Sequence, residues 1–165
     1  MIALGTVTGP PYAIRPGSRF PPGATAAADG VNFCMFSRYA SQVELLLFAN
    51  AASAEPFQTI ALMPERNRSF FFWHVFVEGL APGVCYTWRV DGPDDTGQSG
   101  RRFNPRKDLV DPWARAVTDR HWNRERAIST HRPCWVLRTT PSRISCTLTP
   151  SANDGEAGTP VRMAR

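Results

Sequence analysis

Two alternating apolar stretches, residues 73–78 and 84–91, most constrain what this chain can fold into. In the first, Trp73, Val75 and Val77 alternate with His74, Phe76 and Glu78, and the second repeats the pattern. A period of two places successive side chains on opposite faces of a strand. Leu-Ala-Pro-Gly at 80–83 separates the stretches and is typical of a turn. The segment therefore predicts two strands joined by a tight turn.

Three further strands are predicted at residues 31–37, 42–48 and 57–62, each bounded by turn-forming residues. The first of them is apolar on both faces, since Cys34 and Phe36 interrupt Val31, Phe33 and Met35. Such a strand lies in the centre of a sheet or contacts a neighbouring domain. Five short strands at even spacing, without a helical period between them, predict an all-β fold of the β-sandwich type.

The remaining segments are predicted to be less regular. Residues 1–29 form an extended lead-in, 30–117 the sandwich domain, and 118–165 an exit arm followed by a tail. Near the arm, Asp111 and Pro112 suit the cap and first position of a short helical turn, with an extended arm as the alternative. Ser, Thr, Pro and Arg dominate beyond about residue 126, which predicts an irregular, disordered tail.

Composition narrows the possible functions. A chain of 165 residues fits one domain and is too short for a sandwich plus an eightfold barrel. The formal charge is +5, but the arginines are not interleaved with stacking aromatic residues, so no nucleic-acid partner is expected. The four cysteines and three histidines show no metal-ligand spacing, so neither a metal nor a cofactor is expected. Without a leader or an apolar span, we expect a cytoplasmic protein with no membrane partner.

Six sequence blocks occur in a fixed order over about a hundred residues. They are GAT at 23–25, GVNFCMFS at 30–37, QVELLLF at 42–48, WHVFVEG at 73–79, PGVCYTWRVDGP at 82–93 and RFNPRKDLVDP at 102–112. Together they resemble the N-terminal domain of glycogen debranching enzymes and isoamylases, which belong to glycoside hydrolase family 13. One block alone would be a weak signal, whereas six in order are specific.

This resemblance implies an immunoglobulin-like sandwich of carbohydrate-binding module family 48, which precedes a catalytic barrel. The family hydrolyses α-1,6 branch linkages of glycogen-type glucans with an aspartate nucleophile and a glutamic acid donor, both on the barrel. Neither barrel motif occurs in this chain, so no catalytic residues are expected. The implied partners are an α-glucan such as glycogen or amylopectin and a catalytic barrel domain. The likeness stops near residue 126, which suggests the hypothesis of a truncated or frameshifted gene product.

Sugar-binding modules of this kind use flat aromatic rings and hydrogen-bonding side chains. The resulting candidates are Trp73, Trp88, Trp113, Trp122, Arg102, Asn104 and Lys107. Two alternatives stay open: Trp73 and Trp88 also suit a sandwich core, and Asn104 with its neighbours suits a turn that fixes the exit arm. For the whole chain, the alternatives to glucan binding are a non-catalytic interaction module and a non-functional gene remnant with an exposed docking face. An independent enzyme would need a cleft with paired acids.

Overall fold

The computed structural model describes residues 11–118 and the backbone of residues 144–146. Within them lie eleven strands and one helical turn. In chain order these are β1 (Ile14–Pro16), β2 (Gly23–Ala27), β3 (Gly30–Phe36), β4 (Gln42–Phe48), β5 (Gln58–Leu62), α1 (Pro64–Asn67), β6 (Arg68–Ser69), β7 (Phe72–Glu78), β8 (Cys85–Asp91), β9 (Asp108–Leu109), β10 (Ala116–Thr118) and β11 (Ile144–Cys146).

The strands form two antiparallel sheets. The first has the order β1-β7-β3-β2, with β6 paired to β7, and the second has the order β10-β11-β8-β4-β5, with β9 paired to β8. Strand β3 lies between β7 and β2, the central position that its two apolar faces predict. The predicted all-β sandwich is confirmed.

The core lies between the sheets and follows the alternation of the sequence. The first sheet contributes Phe33 and Trp73, and the second contributes Leu45, Tyr86 and neighbouring apolar residues, all fully buried. The rings of Phe33 and Tyr86 meet edge-on across the two sheets at 4.9 Å between centroids. Because one set of alternating side chains faces this layer, the other set is left for the outer faces.

The tight turn between β7 and β8 does not pair them as a hairpin. It carries the chain from the first sheet to the second, where β8 pairs with β4. Gly79 and Gly83 adopt φ values of 69° and 101°, a backbone conformation that favours glycine. Leu80 between them is buried and closes this end of the core.

Both flanking segments contribute to the sheets. The predicted extended lead-in supplies β1 and β2, which lie at opposite ends of the order of the first sheet. Within the predicted irregular tail, β11 pairs with β8 through Cys146 and Cys85 and with β10 through Ile144 and Thr118. The rest of the tail lies outside the described residues.

Candidate functional site

Of the four candidate tryptophans, the two in strands lie in the core. Trp73 of β7 and Trp88 of β8 are 0% and 1% exposed, so neither presents a ring face to solvent. Their burial confirms the core-packing interpretation of both residues. Trp113, on the arm after β9, is 43% exposed. Trp122 lies outside the described residues.

The three polar candidates share the loop that leads from β8 to β9. Asn104 accepts the backbone N–H of Arg106 with its side-chain oxygen at 3.0 Å and that of Lys107 with its backbone oxygen at 3.1 Å. Asn104 thus shapes the turn, as the structural interpretation predicts. Arg102 is exposed and Lys107 is half-buried. The structure therefore gives the loop both a turn-forming residue and two cationic side chains.

This loop faces the ends of β3 and β8 across a groove of about 350 Å³, which we name the exit-arm groove. Its described lining consists of Met35, Phe36, Ser37, Trp88, Val90, Arg102, Phe103, Asn104, Lys107, Leu109, Val110 and Pro112. Four of the seven candidates thus meet in one place, whereas Trp73 and Trp113 do not belong to the lining. None of these described lining residues is a carboxylic acid, and two are cationic.

The loop is fixed by close packing of Phe103 on the end of β8. A Cβ atom at Gly92 would approach two ring carbons of Phe103 to 2.8 and 2.9 Å, so the ring needs a glycine at this position. The backbone of Phe103 also donates to the carbonyl of Pro93 at 3.4 Å. The polar side chains of the loop are consequently held on a packed support.

A row of phenylalanines continues from the exit-arm groove at Phe36 onto the outer face of the first sheet. Phe36 contacts Phe72 and Phe71 with ring centroids 5.4 and 6.1 Å apart, Phe72 contacts Phe20 at 5.5 Å, and Phe71 contacts Phe70 at 6.2 Å. Phe70 is 81% exposed at the tip between β6 and β7. We name these five residues the phenylalanine ridge. Such a contiguous exposed apolar surface is typical of a binding face.

This ridge was not predicted from the sequence, in which three consecutive phenylalanines at 70–72 directly precede the predicted strand at 73–78. The sequence does indicate an exposed aromatic surface here, because side chains on a strand alternate between faces and three consecutive phenylalanines cannot all reach one core.

Asp111 holds the exit arm against the core, a role that was not predicted from the sequence. Its carboxylate accepts hydrogen bonds from the Tyr86 hydroxyl at 2.9 Å, the Trp88 indole N–H at 3.3 Å and the Trp113 backbone N–H at 2.8 Å. The side chain is buried, and its backbone carbonyl accepts the N–H of Ala114. Of the two sequence-based options, the short turn capped by Asp111 is the one present, because its side chain and carbonyl accept the N–H groups of Trp113 and Ala114; the segment does not continue as a regular helix.

The Cys34 thiol is strongly affected by its own burial. Cys34 is fully buried on the outer side of β3, and its thiol donates to the Arg19 carbonyl at 3.2 Å. Burial, with a further contribution from the negative charge of Asp111, raises the pKa of Cys34 to about 12. The thiol therefore stays protonated and is unsuited to nucleophilic chemistry.

Residues 11–118 contain no group of three His, Cys, Asp or Glu side chains placed to hold a metal ion. The same range includes no helix with the length and apolar character needed to cross a bilayer.

Known proteins resemble this chain over its sandwich. The glycogen debranching enzyme of Cronobacter sakazakii is 41% identical over 104 residues, which cover 63% of this chain and 15% of that enzyme. The glycogen debranching enzyme of Yersinia enterocolitica is 43% identical over 101 residues, which cover 61% of this chain and 14% of that enzyme. The chain therefore spans only about 15% of the length of these curated relatives.

Among solved structures, the catalytic module of the glycogen-degrading pneumococcal virulence factor SpuA is similar in fold. The likeness has a TM-score of 0.51 at 15% identity and covers 78% of this chain and 16% of that module. At this identity it supports the fold alone. Residues 21–114, more than half of the chain, match the family model of carbohydrate-binding module 48, the isoamylase N-terminal domain. The chain belongs to this family.

Proposed function

We propose that the chain is a non-catalytic module that binds an α-glucan such as glycogen or amylopectin through the exit-arm groove. We further propose that it serves an α-1,6-glucosidase of the glycogen debranching type. The observation that carries the proposal is the meeting of Arg102, Asn104 and Lys107 beside Phe36 in one groove of a carbohydrate-binding module. The names of the curated relatives support the choice of glucan and enzyme.

The groove combines the two elements that sugar recognition requires. Phe36, 44% exposed, offers an apolar ring for a pyranose face, and Arg102 and Lys107 offer N–H donors for hydroxyl groups. Hydrolysis, by contrast, requires two carboxyl groups flanking one glycosidic bond. The described lining contains no carboxyl group, so it is suited to binding.

Affinity electrophoresis of the full chain in gels with glycogen or amylopectin tests this proposal. We expect retardation that soluble maltoheptaose relieves and that Arg102→Ala and Lys107→Ala each weaken about two- to tenfold, since each removes hydrogen-bond donors. Arg66→Ala, which removes an exposed arginine outside the groove, is the matched control. Unchanged migration of the folded protein would exclude glucan binding.

A second candidate function, docking on a catalytic barrel, is favoured by the phenylalanine ridge. Its exposed rings are flanked by Arg38, which lies 5.2 Å from the Phe71 ring centroid, and by Arg68, which donates to the Phe70 carbonyl at 2.9 Å. Exposed aromatic rings with arginines are the composition enriched at protein interfaces.

Docking is tested by mixing the full chain with a separately expressed catalytic barrel of a glycogen debranching enzyme in sedimentation velocity runs. We expect a complex that Phe70→Ser weakens at least tenfold and that Val117→Ser, at another exposed apolar position, leaves intact. Absence of a complex at micromolar concentrations would exclude this function.

A further inference from the structure

A second groove lies on the outer face of the first sheet and shares no lining residue with the exit-arm groove. It has a volume of about 450 Å³ and we name it the outer groove. Its lining includes Arg15, Phe20, Thr25, Asp29, Asn32 and Phe76. The volume falls within the range of roughly 300–1,000 Å³ that is usual for small-molecule sites.

Four of these side chains form one row across the sheet. Arg15 of β1 is opposite Phe76 of β7, Phe76 is opposite Asn32 of β3, and Asn32 is opposite Thr25 of β2. Directly opposed residues of antiparallel strands share a face. Val31 and Phe33, beside Asn32, and Val75 and Val77, beside Phe76, belong to the core, so the row faces outward.

Specific contacts fix the wall of the groove. The segment after β1 crosses the sheet, and Asn32 holds it by accepting the Ser18 N–H at 2.7 Å and donating to the Ser18 carbonyl at 3.0 Å. A Cβ atom at Gly17 would overlap the Asn32 side-chain oxygen and the Val75 backbone, so only glycine permits this close crossing. The wall is thus formed before any ligand arrives, which lowers the entropic cost of binding.

Arg15 is also held in place. Its guanidinium carbon lies 3.8 Å from the centroid of Phe76, and its nitrogens lie 2.9 Å from Asp29 and 3.2 Å from Glu78. A guanidinium has five N–H groups, so these two contacts leave further donors. One cation beside two carboxylates gives no positive excess, which disfavours an anionic ligand.

The available groups match a neutral ligand rich in hydroxyls. Arg15 donates, the exposed carboxylate of Asp29 accepts, and the Thr25 hydroxyl can do both. Within the described part of the chain, Thr25 makes no side-chain hydrogen bond. Phe20, 59% exposed, adds an aromatic ring to the lining.

We infer that the outer groove is a second carbohydrate site, which binds a short neutral stretch of α-glucan independently of the exit-arm groove. The inference rests on the proposed function, because it assigns the same sugar class. Two sites on one module raise the avidity for a branched polymer without any new contact at either site.

A titration of the isotope-labelled full chain with maltoheptaose, followed by amide chemical shifts, tests this inference. We expect shifts in residues 15–29 and, separately, in residues 102–107. Thr25→Val should raise the dissociation constant of the first group about two- to tenfold, since it removes one hydrogen-bonding group, and leave the second unchanged. Thr59→Val, the same change at an exposed position of β5 outside both grooves, should alter neither.

The possible results separate the two proposals. Shifts confined to residues 102–107 would overturn the second site and leave the proposed function standing. Shifts confined to residues 15–29 that Thr25→Val weakens would support a carbohydrate site in the outer groove. They would overturn the proposal that the exit-arm groove binds the glucan. No shift in either group would overturn both. If Thr25→Val and Thr59→Val gave the same dissociation constant for the shifts in residues 15–29, the outer groove would not be a carbohydrate site.

Discussion

The layer between the two sheets and the polar groups buried at its margins hold this fold together in different ways. Between the sheets, apolar side chains such as Phe33, Leu45 and Tyr86 are buried collectively, and each contacts several others. At the margins, Asp111 binds Tyr86 and Trp88, and Asp108 binds Arg89.

Residues of the apolar interior and buried polar residues at its margins differ in how well they tolerate substitution. An apolar interior tolerates exchanges that keep its volume, because dispersion and the hydrophobic effect are not directional. A buried carboxylate is stable only while its particular donors are in place. We therefore expect the apolar interior to contribute most of the free energy of unfolding. The buried carboxylates at its margins should instead hold in place the arm that carries the exit-arm groove.

The largest effect is expected from Phe33→Ala in the interior. Removal of a fully buried ring should lower the free energy of unfolding by about 3–5 kcal/mol. Urea denaturation followed by tryptophan fluorescence measures this change. The same substitution at Phe70, which is 81% exposed, should change the stability by less than about 0.5 kcal/mol. Equal losses at the two positions would contradict the assignment of interior and surface.

Asp111→Ala should have the next largest effect. It leaves the Tyr86 hydroxyl and the Trp88 indole N–H without their acceptor, at an expected cost of about 2–4 kcal/mol in unfolding free energy. Limited proteolysis should also cut near Trp113 sooner than in the wild type, because the arm loses its anchor. Tyr86→Phe, which removes a single donor, is the milder control and should cost about 1 kcal/mol. If Asp111→Ala costs no more than this control, the carboxylate is not the anchor.

The sequence predicts the interior well. Strands β3, β4, β5, β7 and β8 begin and end within about one residue of the positions that alternation indicates. Alternation works because the choice between core and outer face is made locally, residue by residue. The change of sheet between β7 and β8 could not be predicted in this way, because it depends on which strand each one pairs with.

The margins and the candidate site are less accessible to sequence analysis. Asp111 precedes a proline and is predicted locally as a cap, which it is for Trp113, but its two other partners are 23 and 25 residues earlier in the chain. Arg102, Asn104 and Lys107 could be selected by resemblance, whereas the groove that joins them to Phe36 exists only after the sheets have packed. The outer groove likewise requires the register of four strands.

A smaller effect is expected at the junction of β8 and β9. Arg89 donates to Asp108 at 2.7 and 3.1 Å, and only 6% of the Asp108 side chain is exposed. Asp108→Asn removes the negative charge of the acceptor, so the ion-paired hydrogen bonds become weaker bonds from the guanidinium to a neutral amide, which should cost about 1–2 kcal/mol in chemical denaturation. Glu44→Gln affects the longer and more exposed partner of Arg89, at 3.4 Å, and should cost less than about 0.5 kcal/mol. A larger loss of stability for Glu44→Gln than for Asp108→Asn would show that Glu44 is the more important partner of Arg89.

The smallest expected effect is the pH dependence due to His74. This side chain is buried on the outer face of β7, where Nε2 lies 2.9 Å from the Ser69 hydroxyl. Burial lowers the pKa of His74 below its ordinary 6.5, and a weaker backbone contribution acts in the opposite direction. As the pH falls through 6.5, the unfolded chain therefore takes up a proton before the folded one does. Stability is complete above this pH and declines below it, until the folded form is also protonated.

Urea denaturation between pH 7.5 and 5.5, with His74→Gln as the reference, isolates this contribution from that of the carboxylates. The wild type should lose stability faster than the variant as the pH falls. The difference in slope should stay below about 1.4 kcal/mol per pH unit, because one proton is involved. Parallel curves would show that His74 gains a proton as readily in the folded chain as in the unfolded one. In that case the surroundings of His74 would be hydrated. Among the polar groups at the margins, only the carboxylates of the exit arm would then depend on burial with particular partners.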